Sequence, residues 1–270
     1  MKDLYAVIGT PIQHSKSPQI HQAFAEQTGE EIHYDRILGQ PERLPLYIKT
    51  FREMRGLGLN VTVPLKEEAF QLANERSDRA ERAGAVNTLI LLEDGRLQGD
   101  NTDGIGLVRD LALNNGFNFK GKRVLILGAG GAVRGVVQPL MEQGIGEMVI
   151  ANRTLSKAET VATLFADLGS IKSCALDAIT GEFDLIINGT AAGLSGALPA
   201  IPDGILAKGG WCYDMVYGDK PTAFVKWGKE QGAAKSLDGL GMLVEQAAES
   251  FYLWRDVRPE TAPVIQMLRG

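Results

Sequence analysis

Two patterns of apolar and polar positions alternate along the chain: short apolar runs, and longer stretches in which apolar residues recur every three or four positions. The first pattern predicts β-strands and the second predicts amphipathic helices, and their alternation is typical of βα units that build largely parallel sheets. In the first hundred residues the predicted strands are Leu4–Gly9, His33–Leu38, Gly58–Val63, Ala85–Leu92 and Arg96–Gly99. The helices predicted between them, each closed by a nearby glycine, are Pro18–Gln27, Pro41–Arg55 and Leu65–Arg82.

After Asp103 the strands become continuous apolar runs, as expected of parallel strands that are covered on both faces. These predicted strands are Val124–Leu127, Met148–Ala151, Asp184–Asn188 and Gly210–Tyr217. The predicted helices of this part are Gly131–Gln143, Ser156–Leu168, Gly241–Trp254 and Ala262–Leu268. Pro139 lies inside the first of them and predicts a kink or an offset start. The change of pattern favours an α/β protein with a domain boundary near residue 102.

Composition narrows the class of protein. The chain has 270 residues, 44% hydrophobic and 23% charged, and a formal net charge of −5, which is typical of a globular protein of one large or two medium domains. Without a block rich in Lys and Arg, we expect no nucleic-acid partner and no binding to an anionic membrane surface. No apolar run reaches the roughly 18 residues of a spanning helix, and the first residues resemble a strand, so we expect a cytoplasmic protein.

The cysteine and histidine content gives no sign of a metal site. Cys174 and Cys212 form no Cys-x-x-Cys pair, and no cluster of His or carboxylate residues has the spacing of metal ligands. We therefore expect neither a disulfide framework nor a bound metal.

A glycine cluster follows the apolar strand Val124–Leu127 and opens a helix: Gly128-Ala129-Gly130-Gly131-Ala132. Glycine permits a tight turn and lets the backbone approach a pyrophosphate, whose charge is favoured at a helix N-terminus. Gly128 and Gly130 fit the G-x-G-x-x-G pattern of a Rossmann fold, whereas Val133 occupies the third position. The alternative is that these glycines only close a strand-to-helix turn.

The next strand ends in Asn152-Arg153-Thr154, with Lys157 shortly after. NAD sites usually place a carboxylate at this strand end to hold the ribose 2′-hydroxyl, whereas an Arg accommodates a 2′-phosphate. No carboxylate is present here, so the residues favour NADP over NAD. Alternatively, Arg153 and Lys157 are solvated charges at the start of a helix.

Polar clusters in the first hundred residues predict a second site. Ser15 and Ser17 stand where a strand ends and a helix begins, an arrangement that suits a carboxylate ligand, although Ser17 can instead be a plain N-cap before Pro18. Asn60 and Thr62 lie on one face of a predicted strand, with Lys66 just beyond its end. An exposed Lys and an ordinary half-buried strand would give the same pattern.

Further amides and carboxylates occur in Ala85-Val86-Asn87-Thr88 and in Gly99-Asp100-Asn101-Thr102-Asp103. Asn and Asp also form turns, which is the alternative explanation. A Lys and an Asp beside one substrate hydroxyl can move its proton while a nicotinamide accepts a hydride. Together with the glycine turn, these residues predict a substrate-type domain over residues 1–102, a nucleotide-type domain over 103–238, and C-terminal helices over 239–270.

Eight motifs in order make the whole chain resemble the shikimate/quinate dehydrogenase family, and NADP-dependent shikimate dehydrogenases in particular. The motifs are Ser15-Lys-Ser17-Pro18, Asn60-Val-Thr62-Val-Pro64-Leu-Lys66, Gly84-Ala-Val-Asn87-Thr, Gly99-Asp-Asn-Thr-Asp103-Gly, Gly128-Ala-Gly-Gly-Ala132, Asn152-Arg-Thr154, Tyr213-Asp-Met215-Val-Tyr217 and Asp238-Gly239-Leu-Gly-Met-Leu-Val-Glu-Gln246. The resemblance implies an oxidoreductase that interconverts 3-dehydroshikimate and shikimate with NADP, on the route to chorismate and the aromatic amino acids. It also implies an active site in a cleft between the two domains, with the C-terminal helices returning to the substrate domain.

The resemblance assigns roles residue by residue. It implies Lys66 and Asp103 as the catalytic pair. The substrate-binding residues it implies are Ser15, Ser17, Thr62, Lys66, Asn87, Asp103, Tyr217 and Gln246. With the glycine turn and the basic strand end, the cofactor-binding residues are Asp78, Gly128, Ala129, Gly130, Gly131, Ala132, Asn152, Arg153, Thr154, Lys157, Met215 and Gly239.

Two segments depart from the family's pattern. Residues 188–193 read Asn-Gly-Thr-Ala-Ala-Gly where many members have Asn-Ala-Thr-Ser or Asn-Ala-Thr-Pro, and Tyr217-Gly-Asp-Lys-Pro221-Thr222 replaces Tyr-x-Pro-x-x-Thr. Two other functions stay open on the sequence: a quinate/shikimate dehydrogenase of broader specificity, and a non-catalytic NADP-binding module. Whether the chain is a monomer or a homodimer is also open.

Overall fold

The computed structural model describes residues 2–190, 192 and 196–270. The chain divides into two compact units. The first unit comprises the residues up to Gly106 together with Leu243–Gly270, and the second comprises Leu107–Met242. The expected domain limits at 102 and 238 each precede this division by four residues, and as limits of functional domains they stay predictions.

The first unit is built on a six-stranded mixed sheet. Its strands are β1 (Asp3–Gly9), β2 (Ile32–Leu38), β3 (Gly56–Val61), β4 (Glu75–Arg76), β5 (Thr88–Leu91) and β6 (Leu97–Asp100). They lie in the order β2-β1-β3-β5-β6-β4, parallel except for β5, which is antiparallel to both β3 and β6. Alternate residues of β1 enter different cores, Ala6 and Ile8 on one face and Tyr5 and Val7 on the other. The apolar run of this strand is therefore explained by burial on both faces.

Helices cover both faces of this sheet. They are α1 (Ser17–Thr28), α2 (Leu44–Glu53), α3 (Lys66–Leu72), α4 (Asp78–Ala83), α9 (Leu240–Arg255) and α10 (Ala262–Arg269). From Leu243 onward α9 belongs to this unit, where Val244, Ala247 and Phe251 pack with Phe24 of α1. The C-terminal helices thus lie on the first unit.

The predicted helix Leu65–Arg82 is wrong, because α3 and α4 are separate helices with β4 between them. Ala73 ends α3 in an extended conformation. The Asn74 side chain then accepts a hydrogen bond from the N–H of Leu97, and the Ser77 hydroxyl caps α4 by accepting from Ala80. At these two polar positions the side chain bonds the backbone and stabilises a break in the helix, although the apolar spacing is that of one continuous helix.

The second unit is built on a six-stranded sheet that is parallel throughout. Its strands are β7 (Arg123–Leu127), β8 (Glu147–Asn152), β9 (Ile171–Ala175), β10 (Phe183–Asn188), β11 (Leu206–Asp214) and β12 (Lys235–Leu237). The order is β12-β11-β10-β7-β8-β9. Chain order runs outward from β7 in both directions, so the carboxyl end of β7 is the point at which ligands bind in open α/β sheets.

Helices also cover both faces of the second sheet. They are α5 (Asp103–Arg109), which continues as one π-helical turn over Asp110–Asn114, α6 (Gly131–Met141), α7 (Leu155–Leu164) and α8 (Ala223–Glu230). Val124 and Ile126 of β7 enter one core, and Leu125 and Leu127 enter the other. The sequence pattern did not predict α5, α8, β9 or β12, whereas the α/β fold class with two domains is confirmed. Among the described residues, no helix is both long and apolar enough to cross a membrane.

Candidate active site

An ion pair between Lys66 and Asp103 forms the centre of the site in the first unit. Lys66 is the first residue of α3, a few positions past the end of β3, and Asp103 is the first residue of α5, just after β6. The Nζ of Lys66 donates a hydrogen bond to Oδ2 of Asp103. Their side chains are 17% and 8% exposed. The sequence prediction that these two residues act together therefore has a geometric basis.

The Asn87 amide contacts the other oxygen of the same carboxylate. Its Nδ2 donates to Oδ1 of Asp103 at 2.8 Å and to Oγ1 of Thr102 at 2.9 Å. Oε1 of Gln246, on α9, lies 3.4 Å from the same nitrogen. Four of the predicted site residues, from four separate stretches of sequence, are thus linked in series by hydrogen bonds: Lys66 to Asp103, Asp103 to Asn87, and Asn87 to Gln246.

Ser15 and Ser17 lie together at the start of α1. Their hydroxyl oxygens are 3.1 Å apart, and the N–H of Ser17 donates to the Ser15 hydroxyl at 3.3 Å. The N-cap of α1 is Lys16, which makes no side-chain capping bond, so the alternative role of Ser17 as N-cap is wrong. The arrangement leaves two hydroxyls beside a helix N-terminus, where an anionic group is stabilised.

Thr62, Tyr217 and Asp78 are less closely tied to this centre. Thr62 follows β3 and is half-buried, with its N–H bonded to the carbonyl of Ile8 at 2.9 Å. Tyr217 is half-buried in the second unit, three positions after β11, whereas Asp78 is exposed at the start of α4 in the first unit. Tyr217 and Asp78 each belong to a different unit from the residues with which they were predicted to act, and their roles stay predictions.

The glycine turn in the second unit has the geometry of a phosphate cradle. Gly128 has φ +109°, and a Cβ there would lie 3.0 Å from the carbonyl oxygen of Gly189. Gly130 is the extended N-cap of α6, with open space where a side chain would be, and Gly131 is the first helical residue. Ala129 is buried in the core, and Ala132 follows in the first helical turn. The backbone is therefore open to a ligand at the N-terminus of α6.

Cationic side chains lie at the carboxyl end of the neighbouring strand β8. Ala151 of β8 pairs with Leu127 of β7, which brings the two strand ends side by side. The Asn152 side chain donates to the carbonyl of Thr154 at 2.9 Å and shapes the loop before α7. Arg153, Thr154 and Lys157 are exposed. Within the described part of the chain Arg153 and Lys157 make no ion pair, so these cations beside an open helix N-terminus fit the extra phosphate of NADP.

Met215, just after β11, and Gly239, just after β12, lie close together. A Cβ on Gly189 would approach the Met215 sulfur to 3.1 Å, and a Cβ on Gly239 would overlap the Met215 carbonyl oxygen. Only glycine fits at position 239 without displacing this backbone. Of the segment 188–193 that departs from the family's pattern, Ala191 and Gly193 lie outside the described residues.

Several supporting residues escaped the sequence prediction. The buried Asp214 accepts hydrogen bonds from Asn188 Nδ2 at 3.0 Å and from the Thr222 hydroxyl at 2.5 Å, and burial raises its pKa. Thr222 also caps α8 by accepting a hydrogen bond from the N–H of Val225. The altered Tyr217–Thr222 loop therefore contacts Asp214 and the start of α8. In the first unit, Arg79 binds Asp100 through two nitrogens at 2.7 and 2.9 Å. Asp100 and Asp214 stand within two of the quoted motifs, whereas Arg79 lies in a charged stretch that gave no signal of its role.

Three family models cover most of the chain. Residues 7–89 match the shikimate dehydrogenase substrate binding domain, residues 110–195 match shikimate / quinate 5-dehydrogenase, and residues 239–269 match the shikimate 5′-dehydrogenase C-terminal domain. The chain belongs to the shikimate dehydrogenase family. The family resemblance predicted from the eight motifs is confirmed.

Full-length relatives agree with this assignment. A protein of Alkalilimnicola ehrlichii named shikimate dehydrogenase (NADP(+)) is 59% identical, and the match covers 100% of this chain and 99% of that protein. The crystal structure of an Ael1 enzyme from Pseudomonas putida has a TM-score of 0.93 at 43% identity, covering 100% of this chain and 99% of that one. Shikimate 5-dehydrogenase from Thermus thermophilus, in complex with NADP(H) and shikimate, has a TM-score of 0.88 at 34% identity, covering 99% and 98%.

Proposed function

We propose that this chain catalyses the reversible, NADP-dependent reduction of 3-dehydroshikimate to shikimate, an oxidoreductase reaction on a CH–OH group. The reaction belongs to chorismate and aromatic amino acid biosynthesis. The observation that carries the proposal is the Lys66–Asp103 ion pair with Asn87 and Gln246 beside it, in a family whose relatives have this activity. A cytoplasmic location and a monomeric or homodimeric state stay predictions.

NADP is the cofactor that fits the second unit. The glycine turn 128–132 would hold its pyrophosphate, and Arg153 with Thr154, Asn152 and Lys157 would hold the 2′-phosphate. Met215 and Gly239 are the candidates beside the nicotinamide, and Asp78 is a more distant candidate for a cofactor contact. When bound, NADP supplies a nicotinamide ring that accepts a hydride from the carbon bearing the reacting hydroxyl, or returns it in the reduction.

Lys66 handles the proton of the reacting hydroxyl in this proposal. As shikimate is oxidised, the neutral amine of Lys66 takes the proton that the hydroxyl loses and becomes the ammonium ion that pairs with Asp103; this ammonium ion gives the proton back in the reduction. Asp103 accepts a hydrogen bond from the same Nζ and thereby fixes the direction in which the amine points. The pair is mostly buried, so bulk water does not compete for this proton transfer.

The remaining polar residues of the first unit orient the substrate. Ser15 and Ser17 at the start of α1 would bind the ring carboxylate, since their hydroxyls and the helix N-terminus favour an anion. Thr62, Asn87, Asp103, Gln246 and Tyr217 are the candidates for the ring hydroxyls. Orientation of two reactants alone contributes roughly 7–11 kcal/mol in favourable cases, so these contacts matter as much as the proton transfer.

A steady-state assay tests the proposal. Purified protein is given shikimate and NADP, and NADPH formation is followed by its absorbance; the assay is repeated with quinate and with NAD. Turnover with shikimate and NADP, much faster than with the other combinations, supports the proposal. Comparable turnover of quinate would instead show an enzyme of broader specificity. Binding of NADP without turnover of either acid would show a binding module and overturn the proposal.

A further inference from the structure

A chain of hydrogen bonds runs through the first unit from Tyr34 to the Asp103 carboxylate. The Tyr34 hydroxyl donates to Oδ1 of Asn60 at 2.7 Å, and Nδ2 of Asn60 donates to the Ser250 hydroxyl at 3.0 Å. The Ser250 and Thr88 hydroxyl oxygens are 2.8 Å apart. Thr88 donates to Oδ1 of Asn87 at 2.8 Å, and Nδ2 of Asn87 donates to Asp103 at 2.8 Å. The chain thus ends at the carboxylate that binds Lys66.

Counting protons fixes the orientation of the Asn87 amide. Oδ1 of Asn87 accepts from the N–H of Thr102 at 2.9 Å and from the Thr88 hydroxyl, which uses both of its lone pairs. The two protons on Nδ2 must then point to the other side, toward Asp103 and the Thr102 hydroxyl. With the amide reversed, a carbonyl oxygen would face the carboxylate, which repels it.

The same count, together with the distances, makes Ser250 the donor to Thr88. A hydroxyl has one proton, and Thr88 donates its proton to Oδ1 of Asn87. The Thr88 oxygen is therefore an acceptor toward Ser250. The Ser250 hydroxyl is also within donating distance of the Gln246 carbonyl, at 3.1 Å, and the shorter contact of 2.8 Å favours Thr88 as its acceptor. Asn60 completes the order, because Tyr34 donates to its oxygen, and its Nδ2 faces Ser250 at 3.0 Å and, at 3.2 and 3.3 Å, the Thr88 hydroxyl and the Asn87 carbonyl. Every donor therefore points along the chain toward Asp103.

The chain is shielded from solvent over its whole length. Its members Tyr34, Asn60, Ser250, Thr88, Asn87 and Asp103 are all buried. In such surroundings a hydrogen bond is stronger than in water, and a buried polar group that loses its partner is costly. Each hydrogen bond consequently constrains the orientation of the next side chain in the chain. Thr88 and Ser250 take part in this chain without being among the residues proposed to touch substrate.

We propose that Thr88 and Ser250 are positioning residues for the reaction, because their hydroxyls hold the Asn87 amide with its NH2 group toward Asp103 and so orient the carboxylate that binds Lys66. This inference rests on the proposed function. Thr88 lies on β5 and Ser250 on α9, so the same contact also ties the helix carrying Gln246 to the strand end carrying Asn87.

A matched set of variants tests the inference. Thr88→Val keeps the shape of the side chain and removes the hydroxyl, Thr88→Ser keeps the hydroxyl and removes the methyl group, and Ser250→Ala removes the second hydroxyl. Thr28→Val is the control, since among the residues that the structure describes the Thr28 hydroxyl bonds only the Phe24 carbonyl of its own helix, at 2.8 Å. For each variant we measure kcat, the KM values for shikimate and NADP, shikimate binding by calorimetry without NADP, and the unfolding midpoint.

The expected result separates positioning from a general loss of structure. Thr88→Val and Ser250→Ala lose about tenfold in kcat/KM for shikimate, the loss expected when one buried hydrogen bond fails, and bind shikimate more weakly. The KM for NADP stays within about twofold of wild type, since the chain lies in the first unit. Thr88→Ser and Thr28→Val retain wild-type kcat/KM. The double variant loses less than the product of the single losses, because both changes break one chain.

Three results would overturn the inference. The first is an equal kcat/KM for Thr88→Val and Thr88→Ser. The second is a KM for NADP that rises as much as the KM for shikimate. The third is a double variant whose loss in kcat/KM equals the product of the two single losses. If Thr88→Val does not fold, Ser250→Ala and the calorimetry decide in the same way. Failure of the proposed function looks different, because the wild type itself would then not turn over shikimate.

Discussion

Lys66 and Asp103 are 37 positions apart in sequence, yet the Nζ of one donates directly to the carboxylate of the other. The topology of the first sheet explains this contact. Lys66 follows β3 and Asp103 follows β6, and both strands pair with β5 between them. The ion pair therefore depends on the correct register of three strands, which ties the candidate chemistry to the fold.

Replacement of Lys66 tests its role in proton transfer. We expect Lys66→Ala to lower kcat by about 10²–10⁴-fold, the usual contribution of a general acid or base, and to leave the KM for NADP unchanged. Lys49→Ala, which removes an exposed lysine from α2 of the same unit, is the control and keeps wild-type kcat. The pH profile of kcat decides the mechanism: if Lys66→Ala is slow but keeps the wild-type profile, Lys66 acts only as an electrostatic clamp.

Replacement of Arg153 tests the choice of cofactor. Arg153→Ala is expected to raise the KM for NADP about tenfold or more, because a charge-assisted contact with the 2′-phosphate is lost. The KM values for NAD and for shikimate change little, so the preference for NADP over NAD shrinks. Lys226→Ala, an exposed lysine on α8 in the same unit, is the control. If the ratio of kcat/KM with NADP to kcat/KM with NAD is unchanged in Arg153→Ala, another residue binds the 2′-phosphate.

The residues of the candidate site that the structure brings together could be predicted from the sequence, because they stand in short motifs. Glycines at a strand end, an Arg where a carboxylate is usual, and Lys, Asn and Asp beside predicted strands all have local signatures. The motifs also identified the family. Apolar runs predicted the central strands of both sheets, since both faces of those strands are buried.

The supporting network was not predictable, because its partners are distant in sequence. Arg79 binds Glu249, which is 170 positions away, and Thr88 contacts Ser250, which is 162 positions away. Hydrophobic periodicity contains no information about such pairs. The same limit explains the wrong helix Leu65–Arg82, where Asn74 interrupts the pattern by bonding Leu97, a residue on a strand that comes later in the chain.

Arg79 is expected to stabilise the first unit substantially. Its guanidinium binds Asp100 and Glu249, and the three side chains are 23%, 12% and 8% exposed. Arg79→Met leaves two poorly solvated carboxylates with fewer partners, and we expect the free energy of unfolding to fall by about 3 kcal/mol. Urea denaturation measures this change. Arg96→Met is the control, because Arg96 pairs with Asp94 and Glu75 on the surface and its removal leaves the urea midpoint near wild type. Equal midpoints for the two variants would contradict this prediction.

His21 is expected to make the protein less stable in acid. The ring is fully buried, stacks on Tyr34 with centroids 4.2 Å apart, and neither ring nitrogen has a hydrogen-bond partner among the described residues. Burial lowers the pKa of His21 to about 3, with a smaller opposing effect from Asn60. Between the ordinary pKa near 6.5 and this value the unfolded chain binds a proton that the folded chain does not, so stability falls as the pH falls through that window.

The variant His21→Phe isolates this effect, because phenylalanine keeps the aromatic packing and cannot be protonated. From pH 7 to pH 5, the wild type should lose about 2 kcal/mol more free energy of unfolding than His21→Phe, since each pH unit in the window costs about 1.4 kcal/mol. His33→Phe is the control: its ring is 58% exposed and contacts Asp35 at the surface, where such a contact contributes little to the free energy of unfolding, so this variant should keep nearly wild-type stability. The measurement is urea denaturation at both pH values. An identical loss in wild type and His21→Phe would mean that the acid sensitivity originates in other groups.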